Sequence, residues 1–172
     1  MKLRFTPPTV CAPGTVARLL RESYAALLEA EPVPWREESE AWEHFDADVY
    51  GELETVGACT TLSWAGEDLV GLLSFDPRQA PEIGVIGHNC ILPRLRGRGY
   101  GKAQIEEMLR RFRKNGIREA RVTTCKHLFF EPARRMYASI GFRQVGRAET
   151  DLDPRKRLIH YELQLTEEGE VD

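Results

Sequence analysis

The stretch from Ile83 to Phe112 constrains the fold of this chain more than any other. It begins with an apolar run, IGVIGHNCILP, which predicts a strand buried on both faces. Nine residues from Arg94 to Lys102 then combine four cations with three glycines. Apolar residues follow at helical spacing, namely Ile105, Met108, Leu109 and Phe112. The stretch therefore predicts a strand, a basic glycine-rich turn and an amphipathic helix in direct succession.

The rest of the chain alternates between helix-like and strand-like segments. Two helices are predicted between a short first strand, LRF, and the strands ACTTLSW and LVGLLSF. The second of these helices is expected from about Trp35 to Tyr50, after the break EPVP. A strand over Ala120 to Thr124, a helix from Pro132 to Gly141 and the strands FRQVG and LIHYELQL complete the pattern. The order β-α-α-β-β-β-α-β-α-β-β predicts the α/β class with a mixed sheet.

Length and composition are typical of one soluble domain. The 172 residues can bury a real core, and we expect a single domain over 1–166 with a polar tail over 167–172. The net charge of -3 argues against a nucleic-acid-binding domain, which is usually basic. The four cysteines lack C-x-x-C spacing, so we expect reduced thiols and no metal. Since no apolar run approaches the ~20 residues of a membrane span, and no signal peptide is recognisable, the predicted location is cytoplasmic.

The basic glycine-rich turn is suited to a phosphate group. A P-loop requires G-x-x-x-x-G-K-[ST], whereas GRGYGK is one residue short and is followed by Ala103. A dinucleotide-binding fingerprint requires G-x-G-x-x-G, whereas the spacing here is G-x-G-x-G. Glycines still allow a ligand to approach the backbone, and the N–H groups at a helix start attract an anion. The turn is therefore predicted to bind phosphate, although not that of a magnesium-bound nucleoside triphosphate.

Two motifs resemble those of the GNAT superfamily of acetyl-CoA-dependent N-acetyltransferases. RGRGYG, Arg96 to Gly101, matches the family signature Q/R-x-x-G-x-G/A. Further along, PARRMYASIGF, Pro132 to Phe142, resembles the second cofactor motif, with its alanine, tyrosine and Gly-Phe pair at matching spacings. The resemblance implies a mixed, mostly antiparallel central sheet of about six to seven strands flanked by about four helices.

The resemblance also implies acetyl-CoA as the cofactor, with coenzyme A as product. The amides of Gly97 to Lys102 would hold the pyrophosphate at the helix N-terminus, and basic side chains would add positive charge. The end of the preceding strand would bond the pantetheine arm, and one amide there would support the oxyanion. Many members have an asparagine where this chain has Phe130, which leaves apolar contact with pantetheine. The predicted cofactor-binding residues are Cys90, Ile91, Leu92, Arg96, Gly97, Arg98, Gly99, Tyr100, Gly101, Lys102, Phe130, Ala133 and Tyr137.

Two residues are predicted to be catalytic. Tyr137 fits the family's general acid, which protonates the departing thiolate, and ring packing without proton transfer is the structural alternative. His88 is the candidate base for the proton that the amine must lose, because imidazole titrates near neutral pH. Strand alternation leaves it open that Asn89 faces the acceptor while His88 is a core histidine. The other candidates for the base are Glu82, His127 and Glu131.

The leading hypothesis is direct transfer of acetyl from acetyl-CoA to a primary amine of a small molecule or peptide. The alternative is a catalytically silent acyl-CoA-binding module of the same fold. No nucleic acid, membrane or metal is expected as a partner, and a homodimer stays open. Ten carboxylates between Glu29 and Glu54 predict a cationic acceptor, such as a polyamine, an aminoglycoside or a basic peptide, or else a solvated surface.

Overall fold

The computed structural model of the protein describes residues 2–146 and 158–165. The described chain divides into two units. The first unit contains the described residues up to Ser74 together with His88–Gln104, and the second contains Phe75–Gly87 and the described residues from Ile105 onward. The predicted tail over 167–172 lies outside the described residues, and the single-domain boundary over 1–166 stays a prediction.

One mixed sheet contains seven strands in the described residues. Its strand order is β1-β2-β3-β4-β5-β7-β6. The pairs β1–β2, β2–β3, β5–β7 and β6–β7 are antiparallel, whereas β4 and β5 are parallel. The strands are β1 (Arg4–Thr6), β2 (Thr60–Ala65), β3 (Asp68–Asp76), β4 (Ile83–Ile91), β5 (Glu119–Cys125), β6 (Arg143–Val145) and β7 (Leu158–Gln164).

Four α-helices accompany the sheet in the same residues. They are α1 (Thr15–Ala30), α2 (Pro32–Gly51), α3 (Tyr100–Lys114) and α4 (Glu131–Ile140). The predicted fold class and order of elements are therefore confirmed. Helix α2 begins at Pro32 rather than near Trp35, because a proline in the first turn lacks only an N–H that the helix start leaves unbonded. A π-helical turn over Leu53–Gly57 was not predicted.

The core of the first unit joins α1 and α2 to strands of the sheet. Helix α1 begins after Gly14, which has no side chain to cap the helix. The buried carboxylate of Asp46, on α2, accepts the N–H groups of Gly14, Val16 and Ala17 at 2.8, 2.9 and 3.1 Å. This carboxylate therefore caps α1 and joins the two helices. The buried apolar cluster includes Val16, Leu19, Leu20, Trp42, Val49, Leu62, Val70, Leu72, Cys90 and Leu92.

The second unit contains α3 from Ile105 onward together with α4, β5, β6 and β7. Phe112 is almost fully buried, and a Cβ added at Gly84 would lie 2.6 Å from its ring. The ring of Phe75 meets that of Phe112 edge-on, with centroids 5.4 Å apart. Only glycine at position 84 therefore admits the Phe112 ring against β4.

Three further properties hold for the described residues. No helix among them is long and apolar enough to cross a membrane. No group of three or more histidine, cysteine, aspartate and glutamate side chains among them is arranged to hold a metal ion. All four cysteines are free thiols.

Candidate active site

The basic glycine-rich turn lies between β4 and α3, as the sequence predicts. Gly97 and Gly99 adopt left-handed backbone conformations, with φ of 73° and 80°. Such conformations are strained for residues that carry a Cβ. A Cβ at either position would meet no atom within 4 Å, so the space beside both glycines is open.

The turn leads directly into the first residues of α3. The carbonyl of Gly99 accepts the first helical hydrogen bond, from the Ala103 N–H at 3.0 Å. The amides of the first turn, beginning with Tyr100 and Gly101, therefore lie where a helix start favours an anion. Left-handed glycines, open space and helix amides together fit the pyrophosphate of coenzyme A.

Arg96 donates hydrogen bonds to two backbone carbonyls. Its Nε donates to the Ile91 carbonyl at 3.1 Å, and its Nη2 donates to the Ser23 carbonyl. The guanidinium therefore ties the turn to the end of β4 and to α1. Arg98 and Lys102, the other predicted cations, have exposed side chains.

The end of β4 lies very close to β3. The Leu92 N–H donates to the Val70 carbonyl at 2.9 Å. A Cβ added at Gly71 would lie 1.9 Å from the Cys90 carbonyl oxygen, so only glycine fits there. Sequence reasoning did not assign Gly71 to the site, although an isolated glycine within the strand pattern LVGLLSF signals such a close backbone approach.

Cys90 has the environment of a structural residue. Its side chain is buried beside the Ser23 hydroxyl, and burial raises the pKa of the Cys90 thiol. A neutral buried thiol is a poor nucleophile, because the thiolate is the reactive form.

His88 and Asn89 lie on β4 just before this segment. The parallel register of β4 with β5 runs from Ile83 to Ile86 on β4, so both residues follow its last pair. The His88 ring packs against Phe45 with centroids 4.7 Å apart, and the backbone N–H of His88 donates to the Ser74 Oγ at 2.9 Å. Burial lowers the pKa of His88 to about 4, so the imidazole is neutral at pH 7 and a weak base. The Asn89 Oδ1 is buried and has no hydrogen-bond partner among the described residues.

Tyr137, in the second unit, packs against two other aromatic rings. It is buried, and its ring contacts those of Phe142 and Tyr161 at centroid distances of 5.7 and 5.9 Å. Burial raises the pKa of Tyr161, so that phenol is not ionised at neutral pH. Ala133 lies one helical turn before Tyr137 on α4.

The turn that precedes α4 is held by side chains of its own unit. Arg134 Nη1 donates to the carbonyls of Cys125 and His127 at 2.8 and 2.9 Å. The His127 Nδ1 accepts the Phe129 N–H at 3.1 Å. Phe130 packs edge-on against Phe129 with centroids 5.1 Å apart. Phe130 therefore lies in a braced turn directly before α4, the helix that carries Ala133 and Tyr137.

The predicted residues fall into two groups, one in each unit. Cys90 to Leu92 and Arg96 to Lys102 form a continuous segment of the first unit, whereas Phe130, Ala133 and Tyr137 belong to the second. The other candidate bases already have partners. Glu82 pairs with Arg118 at 3.0 Å, Glu131 pairs with Arg135, and His127 accepts the backbone bond described above.

The acidic run from Glu29 to Glu54 is mostly solvent-exposed. Asp46 is the buried exception, because it caps α1. Glu43 forms an ion pair with Arg21. The exposed carboxylates are Glu29, Glu37, Glu38, Glu40, Glu43, Asp48, Glu52 and Glu54.

Solved structures share this fold at low sequence identity. A GNAT-family protein from Desulfovibrio desulfuricans superposes with a TM-score of 0.71 at 20% identity, covering 95% of this chain and 99% of its own. An acetyltransferase from Streptococcus agalactiae gives 0.69 at 18% identity, with coverage of 96% and 99%. A Bacillus subtilis acetyltransferase in complex with CoA gives 0.59 at 17% identity, with coverage of 96% and 100%.

The family of the chain follows from its sequence. No curated protein matches the chain. The model of the acetyltransferase (GNAT) family matches residues 20–142, which include the glycine-rich turn and the second motif, Pro132 to Phe142. The fold supports acyl transfer from acetyl-CoA in general. The chain therefore belongs to the GNAT family of acetyltransferases.

Proposed function

We propose that this protein is an N-acetyltransferase that moves an acetyl group from acetyl-CoA directly to a primary amine. The observation that carries the proposal is the turn with two left-handed glycines, Gly97 and Gly99, beside open space at the start of α3. Acetyl-CoA supplies an acetyl thioester: nitrogen forms the new C–N bond, the C–S bond breaks with its electron pair on sulfur, nitrogen loses one proton and sulfur gains one.

The residues of the first unit bind and orient in this proposal. The amides from Gly97 to Lys102 hold the pyrophosphate, with charge from Arg98 and Lys102. The Leu92 N–H is already bonded to Val70. Since successive N–H groups of a strand point to opposite edges, the Ile91 N–H points away from β3. We therefore assign the Ile91 amide, rather than that of Leu92, to the acetyl carbonyl.

Tyr137 is the proposed proton donor to the departing sulfur. Tyr137→Phe removes only the hydroxyl, so kcat should fall by roughly 10²–10⁴-fold while the Kd for acetyl-CoA stays nearly unchanged. Tyr161→Phe is the matched control, because it removes a neighbouring phenol hydroxyl from the same ring cluster. A loss of kcat below about threefold in Tyr137→Phe would favour ring packing as the role of Tyr137.

His88 remains the candidate base, and its lowered pKa sharpens the test. A base acts in its deprotonated form, and His88 keeps that form down to about pH 4. The acidic limb of kcat/KM that belongs to His88 should therefore lie near pH 4, below the ordinary histidine range. A limb near 6.5 that disappears in His88→Ala would contradict this assignment of the pKa.

The proposed acceptor substrate is a cationic amine. Eight exposed carboxylates between Glu29 and Glu54 would raise the local concentration of a polyamine, an aminoglycoside or a basic peptide. The proposed location of the protein is the cytoplasm.

One experiment separates the enzyme from a silent acyl-CoA-binding module. Free thiol is measured after mixing the protein with acetyl-CoA and a panel of spermidine, kanamycin, butylamine and a lysine-containing tetrapeptide. Isothermal titration with acetyl-CoA alone runs in parallel. We expect acetyl-CoA binding and amine-dependent thiol release. Binding without thiol release for any amine would identify the module, and absence of binding would overturn the cofactor assignment.

A further inference from the structure

We infer that the side-chain carbonyl of Asn89 accepts a hydrogen bond from the acceptor amine and orients it for attack. The inference rests on the proposed function and assigns a residue to the acceptor part of the same site. Its starting point is the buried Asn89 Oδ1, which has no hydrogen-bond partner among the described residues.

A buried acceptor without a donor is unfavourable for folding. Almost all buried polar atoms in folded proteins find a partner, and an exception calls for a reason. Some other such atoms in the first unit have a partial explanation: the Ser23 hydroxyl lies beside the Cys90 thiol, and the other end of Gln104 donates to the Leu72 carbonyl at 2.6 Å. Ser63, on β2, has a similarly buried Oγ without a partner.

Its position on β4 relates Asn89 to the acetyl group. Cys90 to Leu92 is the segment proposed to contact the pantetheine arm, and the proposed pyrophosphate turn follows it along the chain. An extended strand advances about 3.3 Å per residue, so Asn89 lies one step beyond the arm, at the end away from the pyrophosphate. That end is where a thioester and its attacking nucleophile would meet.

Strand alternation separates Asn89 from the residues beside it. His88 packs against Phe45, and Cys90 lies beside Ser23 in the apolar core. Side chains at successive strand positions point to opposite faces, so Asn89 faces away from both of these contacts. The Asn89 oxygen is therefore directed away from the contacts of His88 and Cys90, and no described residue donates to it. With the amine bound at Asn89, His88 would accept the proton through water rather than directly.

The chemistry of a carboxamide defines what Asn89 can do. Its oxygen is too weak a base to take a proton, but it accepts an N–H bond well. An amine that donates one N–H to this oxygen keeps its lone pair free for attack. The hydrogen bond also restricts the orientations of the bound amine, which favours the reactive one. The nitrogen gains positive charge as the new C–N bond forms, so the hydrogen bond strengthens during attack. Asn89 should therefore act on kcat as well as on the KM of the amine.

The test compares Asn89→Leu with Asn89→Asp and with the control Ser63→Ala. Leucine has a similar volume without an acceptor, whereas aspartate keeps an acceptor oxygen. For each protein we would measure the Tm, the Kd for acetyl-CoA, and kcat and KM for the most active amine of the panel above. Asn89→Ala repeats the measurements if Asn89→Leu does not fold.

In Asn89→Leu we expect an equal or higher Tm, because a buried acceptor without a partner is removed. We also expect the Kd for acetyl-CoA to stay within about twofold, while kcat/KM for the amine falls roughly 10- to 100-fold. Asn89→Asp should retain most of the activity. Ser63→Ala should likewise have an equal or higher Tm, but its kcat and KM should not change. The control thereby distinguishes an effect on stability from an effect on turnover.

Two results would overturn the inference while leaving the proposed function intact. An unchanged kcat/KM for the amine in Asn89→Leu means that the oxygen has no part in the reaction. A Kd for acetyl-CoA that rises about tenfold or more means that its partner is an N–H of the pantetheine arm. Absence of thiol release by the unmodified protein with every amine would instead overturn the proposed function and this inference together.

Discussion

Gly99 in the glycine-rich turn and Gly66 in the turn between β2 and β3 make a matched test of ligand contact. Gly99 and Gly66 have φ of 80° and 64°, and a Cβ at either would meet no atom within 4 Å. Gly99→Ala and Gly66→Ala should therefore carry similar backbone strain, about 1–2 kcal/mol each. Only the methyl group at position 99 would occupy the space proposed for pyrophosphate, so only Gly99→Ala should raise the Kd for acetyl-CoA, by about tenfold or more.

Calorimetry with acetyl-CoA and urea denaturation of both variants measure the two effects separately. Equal affinities in Gly99→Ala and Gly66→Ala, with equal losses of stability, would mean that the turn does not contact the pyrophosphate.

The lowered pKa of His88 makes the stability of the protein depend on pH. Burial sets the folded pKa at about 4, below the ordinary value of 6.5 for an unfolded histidine. The unfolded chain therefore binds this proton first as the pH falls. The free energy of unfolding should decrease between pH 6.5 and pH 4, by up to about 3 kcal/mol from this residue.

The measurement is urea denaturation at several pH values. His88→Gln should flatten the decrease over that range, whereas His44→Gln, at an exposed position on α2, serves as the control. An identical pH dependence in the original protein and in His88→Gln would show that His88 is not desolvated in the folded state.

Among the helices, α1 depends on a cap that comes from another element. Asp46→Ala would leave three N–H groups at the start of α1 without their acceptor. We expect a loss of about 2 kcal/mol in the free energy of unfolding, since a cap and its charge at a helix N-terminus contribute on that scale. Asp46→Asn keeps one acceptor oxygen and should lose less.

Asp48→Ala is the control, because Asp48 is an exposed carboxylate on the same helix. It should change the stability by no more than about 0.5 kcal/mol. Equal urea midpoints for Asp46→Ala and Asp48→Ala would exclude the cap as a source of stability.

The elements also show what a sequence can and cannot predict. Strands and helices were predicted in the right order because apolar spacing and turn residues act within a few positions. Asp46 was counted with the acidic run, because its partners lie 29 to 32 residues away and no local pattern reveals them. The hydrogen bond of Arg96 to the Ser23 carbonyl is equally hidden in the sequence, because the two residues lie 73 positions apart.

For the whole molecule, the uneven charge predicts how rate depends on salt. Glu38 and Glu40 are exposed on α2, whereas Glu43 is paired and Asp46 is buried. Glu38→Lys combined with Glu40→Lys should lower kcat/KM for a polycationic amine roughly three- to tenfold at low ionic strength. The difference should shrink near 1 M salt, where the Debye length is about 3 Å.

Glu67→Lys with Asp68→Lys in the β2–β3 hairpin makes the same change of charge elsewhere and is the control. An effect that persists at high salt, or one of equal size in the control, would show that the acidic run does not attract the acceptor. The acceptor itself could not be predicted from the sequence, because many different amines share one positive charge and no motif here encodes their shape.

The close approach at Gly71 sets a limit on how this protein can vary. A library that randomises position 71 should return glycine almost alone, although the residue lies far along the chain from both family motifs. Any larger residue would push the Cys90 carbonyl outward and shift the strand that leads into the glycine-rich turn. Substitutions that adapt the protein to new amines can therefore be accepted on the surface of α2, but not at Gly71, although Gly71 has no functional group of its own.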